Sequence, residues 1–191
     1  MPELNNFKII TDYCIGADGK VDSVKLYSQV PVEDIETVIL DYQSKTSVTL
    51  IKILAMRHWK ANFNFIDATP GYEKNITEQT AAVIIGDRTF ELNGNFEYEY
   101  DLAEEWKKLT GLPFAFAAWV AITPVDENFL NDFNRALKWG VNNIDKAILK
   151  DGSKFSKKFN RADYLKNKIR YELDDKKRIA IELFVEYMKH L

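Results

Sequence analysis

The chain has 191 residues, 46% of them apolar, and sets 26 Lys and Arg against 29 Asp and Glu for a net charge of −3. That is enough to bury a core in one domain or two small lobes, and the near balance of charge argues against a non-specific polyanion binder. The longest apolar run, residues 112–122, falls well short of the roughly 20 residues a bilayer-spanning helix needs.

In chain order, residues 7–13 and 23–30 alternate apolar and polar positions around a turn marked by Gly16, Asp18 and Gly19, and read as a strand pair or as successive strands. Pro31 opens a helical turn over 32–37, and Val38-Ile39-Leu40 is a short buried strand ending at Asp41. Val48, Leu50, Ile51, Ile53, Leu54 and Met56 fit a helix over 46–59 packed on a sheet, and 81–85 repeats the short buried strand before Gly86 and Asp87. A helix is expected over 101–109, with Asp101 as its cap and Glu104 in the reciprocal capping-box position. Gly111 suits the left-handed position that ends it, Pro113 forbids its resumption, and the apolar residues up to Trp119 predict a strand buried on both faces.

Beyond Pro124 the pattern turns helical. Asp126 caps a long helix with an apolar stripe of Phe129, Leu130, Phe133, Leu137, Val141, Ile144 and Ile148, and 160–173 and 174–190 read as two more helices. The aromatic load of Phe155, Phe159, Tyr164, Tyr171, Phe184 and Tyr187 suggests that these helices also cover a sheet. The one basic cluster, Lys154, Lys157 and Lys158 within 150–161, reads as a solvated connection in preference to a phosphate-tracking patch.

Familiar catalytic motifs are missing: no GxGxxG, GxxxxGK, GxSxG or HExxH occurs. Cys14 has no partner for a disulfide or a CxxC zinc site and reads as a small core residue, so neither an oxidised scaffold nor a metal finger is available. No metal or cofactor is expected. His58, expected against the final carbonyls of its helix, and His190, next to the carboxyl terminus, are poor general bases. Two segments suit a small anion. In the first, Ser44, Thr46 and Ser47 lie at a helix start whose free amides would hold a carboxylate or phosphate; a plain N-cap with spare hydroxyls explains the same residues. In the second, Gly86 and Asp87 follow a strand end, where ligands of open α/β sheets bind, although Asp87 can equally cap the next turn.

Gly19-Lys20-Val21-Asp22-Ser23-Val24, Leu40-Asp41-Tyr42-Gln43-Ser44-Lys45-Thr46-Ser47-Val48, Ile84-Ile85-Gly86-Asp87, Asp101-Leu102-Ala103-Glu104-Glu105-Trp106 and Thr110-Gly111-Leu112-Pro113-Phe114-Ala115-Phe116-Ala117-Ala118-Trp119 occur together and in order. In this the chain resembles, over essentially its whole length, the chorismate dehydratases of the futalosine route to menaquinone. The resemblance implies an α/β fold of the two-lobed, type II periplasmic-binding-protein-like kind, used inside the cell as a carbon–oxygen lyase that removes water from chorismate to give 3-[(1-carboxyvinyl)oxy]benzoate. Aromatisation supplies the driving force, so the protein chiefly holds two carboxylates, excludes water and manages modest proton transfers. Carried over by position, Ser23 matches the serine considered important for catalysis; a strand-start hydroxyl bonding its own turn is the alternative. Thr46 and Ser47, with Ser44, would bind a substrate carboxylate, and Gly86 and Asp87 would face the same cleft. Phe116 and Trp119 are core residues or an aromatic wall.

Members of that family also share an earlier strand with a Ser-Tyr-Leu-Asn type motif, whose asparagine is a second catalytic candidate. No such motif occurs here. The expectation is therefore an incomplete front lobe, with residues 1–23 its remainder, 24–112 a second lobe, and 113–191 a crossover strand and helices returning to the front lobe. Exposed apolar surface, and helices whose aromatic faces lack a partner, follow from it. The expected compartment is the cytoplasm, since the first residues carry no basic start or apolar stretch of a secretory signal. The expected partner is the small molecule chorismate, with no nucleic acid or membrane. A non-catalytic carboxylate-binding protein of the same fold is the alternative. A neighbouring enzyme of the pathway is disfavoured because it is expected to use a histidine base.

Overall fold

A computed structural model describes residues 8–150 and 159–191, and shows a mixed α/β protein with two sheets. Lys154, Phe155, Lys157 and Lys158 lie outside the described residues. Strands β1 (Lys8–Ala17), β2 (Val24–Ser28), β3 (Thr37–Leu40), β4 (Asn64–Asp67), β5 (Thr80–Ile85), β6 (Tyr98–Asp101), β7 (Phe114–Ala121) and β8 (Arg170–Glu172) alternate with helices α1 (Lys45–Leu54), α2 (Arg88–Leu92), α3 (Leu102–Thr110), α4 (Glu127–Asn142), α5 (Ile144–Lys150), α6 (Arg161–Asp163) and α7 (Asp175–Met188).

The five-stranded sheet has the order β4-β3-β5-β2-β6, with β3 parallel to β4 and β5, and β2 antiparallel to β5 and β6. Its inner strands β3, β5 and β2 are short and mostly buried because both faces are covered there, whereas the edge strands β4 and β6 stay largely exposed or half-buried. On one face Leu26, Val38, Leu40, Ala81 and Val83 pack with Leu50, Ile51, Leu54 and Trp106 from α1 and α3. On the other, the intervening residues Tyr27, Ile39, Ala82 and Ile84 pack with Tyr72 and Ile76. The two-residue period of a strand separates the sets, and a one-residue slip would exchange them.

The three-stranded sheet is antiparallel with the order β7-β1-β8. Residues 7–13 and 23–30 therefore do not pair: β1 and β2 belong to different sheets. The residues after Pro113 form the edge strand β7, so the strand predicted to be buried on both faces is buried only at Phe114, and Trp119 is 52% exposed. The segment 160–173 departs from the expected helix too. A short α6 runs into the π-helical turn Tyr164–Lys168, and the chain then extends into β8 to pair with β1. That pairing supplies partners for backbone groups that a helix would have satisfied internally.

Trp106 joins the sheets. It is fully buried on α3, sets its ring edge against Phe114 of β7 and against Phe184 and Tyr187 of α7, and donates its indole N–H to the Pro113 carbonyl at 3.1 Å. Phe184 and Tyr187 thus have partners, contrary to the expectation for the final helix. Gly111, at φ +75°, ends α3 one turn earlier, where its N–H donates to the Lys107 carbonyl. Side chains of α4 and α5 stay at least partly exposed, with Phe129 54%, Trp139 65% and Leu149 86% exposed.

Candidate functional site

One edge of the five-stranded sheet gathers most of the chemistry. Parallel β3 and β5 both end there, antiparallel β2 begins there, and β6 ends there, because Lys25 pairs with Asp101 and Val24 with Ile85. Helices α1, α2 and α3 start from this edge. Ser23 and Gly86 meet directly: the Gly86 N–H donates to the Ser23 carbonyl at 2.8 Å, one rung beyond the Val24–Ile85 pair. Gly86 has φ +68°, a left-handed conformation that lets the backbone turn from β5 into α2 without a Cβ clash.

The Ser23 hydroxyl is buried and accepts a hydrogen bond from Tyr164 Oη at 2.8 Å, so it does not bond its own turn. Tyr164 sits at the head of the π-helical turn, edge-on to Phe90 and Phe159, which stack on each other at 3.6 Å. Burial pushes the phenol pKa up, the Ser23 bond opposes this, and the charges of Asp87, Asp101 and Asp22 add to the rise.

The loop before Ser23 is tied down by a single carboxylate. Asp101 Oδ2 accepts from the Val21 and Asp22 amides at 2.9 and 2.6 Å, while Oδ1 accepts from the Ala103 and Glu104 amides at the start of α3. Burial raises the Asp101 pKa to about 6, with the amide donors pulling the other way. Asp101 caps α3 as expected, but the Glu104 carboxylate pairs with Lys108 at 3.6 Å. Asp22, next to Ser23, is held at φ +67°, a strained conformation for a residue with a Cβ. Burial works against its ionisation, yet the Lys168 bond, then the charges of Lys20, Lys168 and Lys25, hold its carboxyl below the usual range.

The second predicted segment follows β3. Ser44 is the N-cap of α1: its Oγ accepts from the Ser47 N–H at 3.1 Å and donates to Ser47 Oγ at 2.9 Å. Ser47 is buried and Thr46 half-buried on the same first turn. Since β3 and β2 flank β5, their ends lie about 10 Å apart, two strand spacings. Between the two segments sits a cluster not anticipated from sequence. Buried Asp41 at the end of β3 accepts from Tyr72 Oη at 2.6 Å and from the Arg88 guanidinium, which also donates to Glu73 at 2.9 Å and lies over the Tyr42 and Tyr72 rings. Asp87 occupies the cap position of α2 but makes no side-chain cap bond, so the capping role fails for its carboxylate.

Tyr164, Tyr72 and Arg88 are absent from the sequence-predicted set. Arg88 directly follows Gly86-Asp87, and reading the motif one residue further would have included it; Tyr164 carries no local signal, being 141 residues from Ser23. His58 bonds Glu105 at 2.9 Å and not the helix carbonyls. Cys14 is buried, and burial raises its thiol pKa to about 11. A cavity of about 510 Å³ lies elsewhere, between the three-stranded sheet and α4, lined among others by Tyr13, Cys14, Trp119 and Val141. Among the described residues, no His, Cys, Asp and Glu group is arranged to hold a metal ion, and no helix is long and apolar enough to cross a membrane.

This architecture has solved counterparts. Protein AF1704 from Archaeoglobus fulgidus matches 97% of this chain over 73% of its own length, at 12% identity and a TM-score of 0.69. An ABC transporter from Parabacteroides distasonis matches 97% of this chain over 68% of its own length, at 15% identity and a TM-score of 0.62. The fold is thus the two-lobed, periplasmic-binding-protein-like α/β class. Within that class, the family model described as menaquinone biosynthesis matches residues 2–190, and the chain belongs to that family.

Proposed function

We propose that this chain is a chorismate dehydratase, removing water from chorismate to form 3-[(1-carboxyvinyl)oxy]benzoate, and that Ser23 is its catalytic hydroxyl. The observation that carries the reading is the buried Ser23 hydroxyl, held at the sheet edge by Tyr164 in a chain of the menaquinone biosynthesis family. In the reaction, the C–H on the ring carbon that carries the enolpyruvyl ether breaks, its proton passing to Ser23 Oγ while its electron pair completes the aromatic ring. The neighbouring C–O bond breaks, and the hydroxyl leaves with a proton as water. In this reading Ser23 Oγ relays the proton, giving its own hydrogen to the departing hydroxyl as it takes the one released from the ring carbon, and holding that hydroxyl close to it contributes by positioning.

Substrate binding falls to the groups flanking Ser23. The start of α1, with Ser44, Thr46 and Ser47, takes one carboxylate through amide donors and the positive helix end. Gly86 allows the ring to approach the backbone. The Asp87 carboxylate suits only the ring hydroxyl among the substrate's oxygens, since the substrate's carboxylates repel it and its ether oxygen offers no proton. The cleft would lie between a lobe of residues 24–112 and one made of 1–23 with 113–191. Such a reaction calls for no added cofactor, and the cytoplasm is where its substrate is expected.

Incubating the chain with chorismate and following water loss by mass spectrometry tests the proposal. Product from the wild type, reduced at least about 100-fold by Ser23→Ala, is the expected result. Chorismate bound without loss of water would instead favour a carboxylate-binding protein of the same fold.

A further inference from the structure

We propose that Tyr164 is the positioning residue for Ser23, a role that rests on the reading of Ser23 as the catalytic hydroxyl. A serine hydroxyl has one proton and two acceptor lone pairs. The Tyr164 O–H fills one lone pair at 2.8 Å, which fixes the rotation of the serine and leaves its own proton and its second lone pair for the substrate. A negative charge developing on Ser23 Oγ during proton relay meets a donor already aimed at it, with no reorganisation required.

Three further features of the structure support this role over incidental contact. The Tyr164 ring is clamped edge-on by Phe90 and Phe159 at 5.2 and 5.3 Å, so the hydroxyl has little freedom to leave. The residue begins a π-helical turn, a local insertion that costs regular hydrogen bonding and recurs at functional positions. That same turn brings Lys168 onto the Asp22 carboxylate at 3.1 Å, so one short segment braces both Ser23 and the left-handed residue before it. Ser23 is thus held from two sides, by its strand and by a segment from the far end of the chain.

The test is steady-state dehydration of chorismate by wild type, Tyr164→Phe and Ser23→Ala, with thermal unfolding of each. Tyr164→Phe keeps the ring and removes only the hydroxyl. The expected result is a fall in kcat of about 10- to 100-fold, with KM within about twofold and a folded protein. An unchanged kcat in an active background overturns the role of Tyr164 alone. So does a raised KM at constant kcat, which would make the phenol a substrate-binding group. A Tyr164→Phe chain that does not fold assigns the hydroxyl to stability and overturns the proposal equally. A wild type that forms no product removes the dehydratase reading and the role of Tyr164 with it.

Discussion

Strands β2 and β7 show how little the apolar content of a segment says about its burial. β2 carries a lysine and a serine yet is buried at all of its residues, while β7, with a more apolar sequence, is buried only at Phe114. The difference is position. β2 lies between β5 and β6 in a sheet covered on both faces, and Lys25 is accommodated because its ammonium donates to Asn93 and Glu99 at 2.7 and 2.9 Å. β7 is an edge strand pairing only with β1, and its far half meets a helix whose side chains stay partly exposed. A well-buried platform thus carries the candidate site, and a more exposed layer packs against it around Trp106.

The contrast is broken most severely at that joint. Trp106→Ala should cost about 3–5 kcal/mol, whereas Trp119→Ala, half exposed on β7, should cost about 1 kcal/mol or less; urea unfolding of both variants measures the gap. Comparable losses would mean that the outer layer is packed as firmly as the platform.

A smaller effect probes the platform edge. Asp101 titrates near pH 6 in the folded state and near 3.9 when unfolded. Between those values the folded chain keeps a proton that the unfolded chain has released. This contribution to stability is therefore fully present below about pH 4 and is lost as the pH rises through 6, by on the order of 3 kcal/mol. Unfolding midpoints across that range should decline in the wild type, and Asp101→Asn should remove that part of the slope.

Local chemistry made the platform legible in advance. Short apolar runs closed by Asp41 and by Gly86, the cap at Asp101 and the stop at Gly111 are all encoded within a few residues, and each sits where those signals place it. The failures share a cause. The edge position of β7 and the strand β8 depend on pairing with β1 across about a hundred residues or more, which periodicity does not record. The candidate site divides in the same way: the proposed residues Ser23, Ser44, Thr46, Ser47, Gly86 and Asp87 carry motif or turn signals in the sequence, while the contacts of Tyr164 and of the Asp41–Arg88–Tyr72 cluster arise from tertiary structure.

Hydrogen exchange with and without chorismate tests the central claim, that the ligand site is the edge holding Ser23 and not the cavity beneath α4. Slowed exchange at the amides of residues 20–23, 45–47 and 86–88, with 117–119 and 136–141 unchanged, is the expected result. Protection confined to 117–119 and 136–141 would contradict the account and move the site to the cavity lined by Trp119 and Val141.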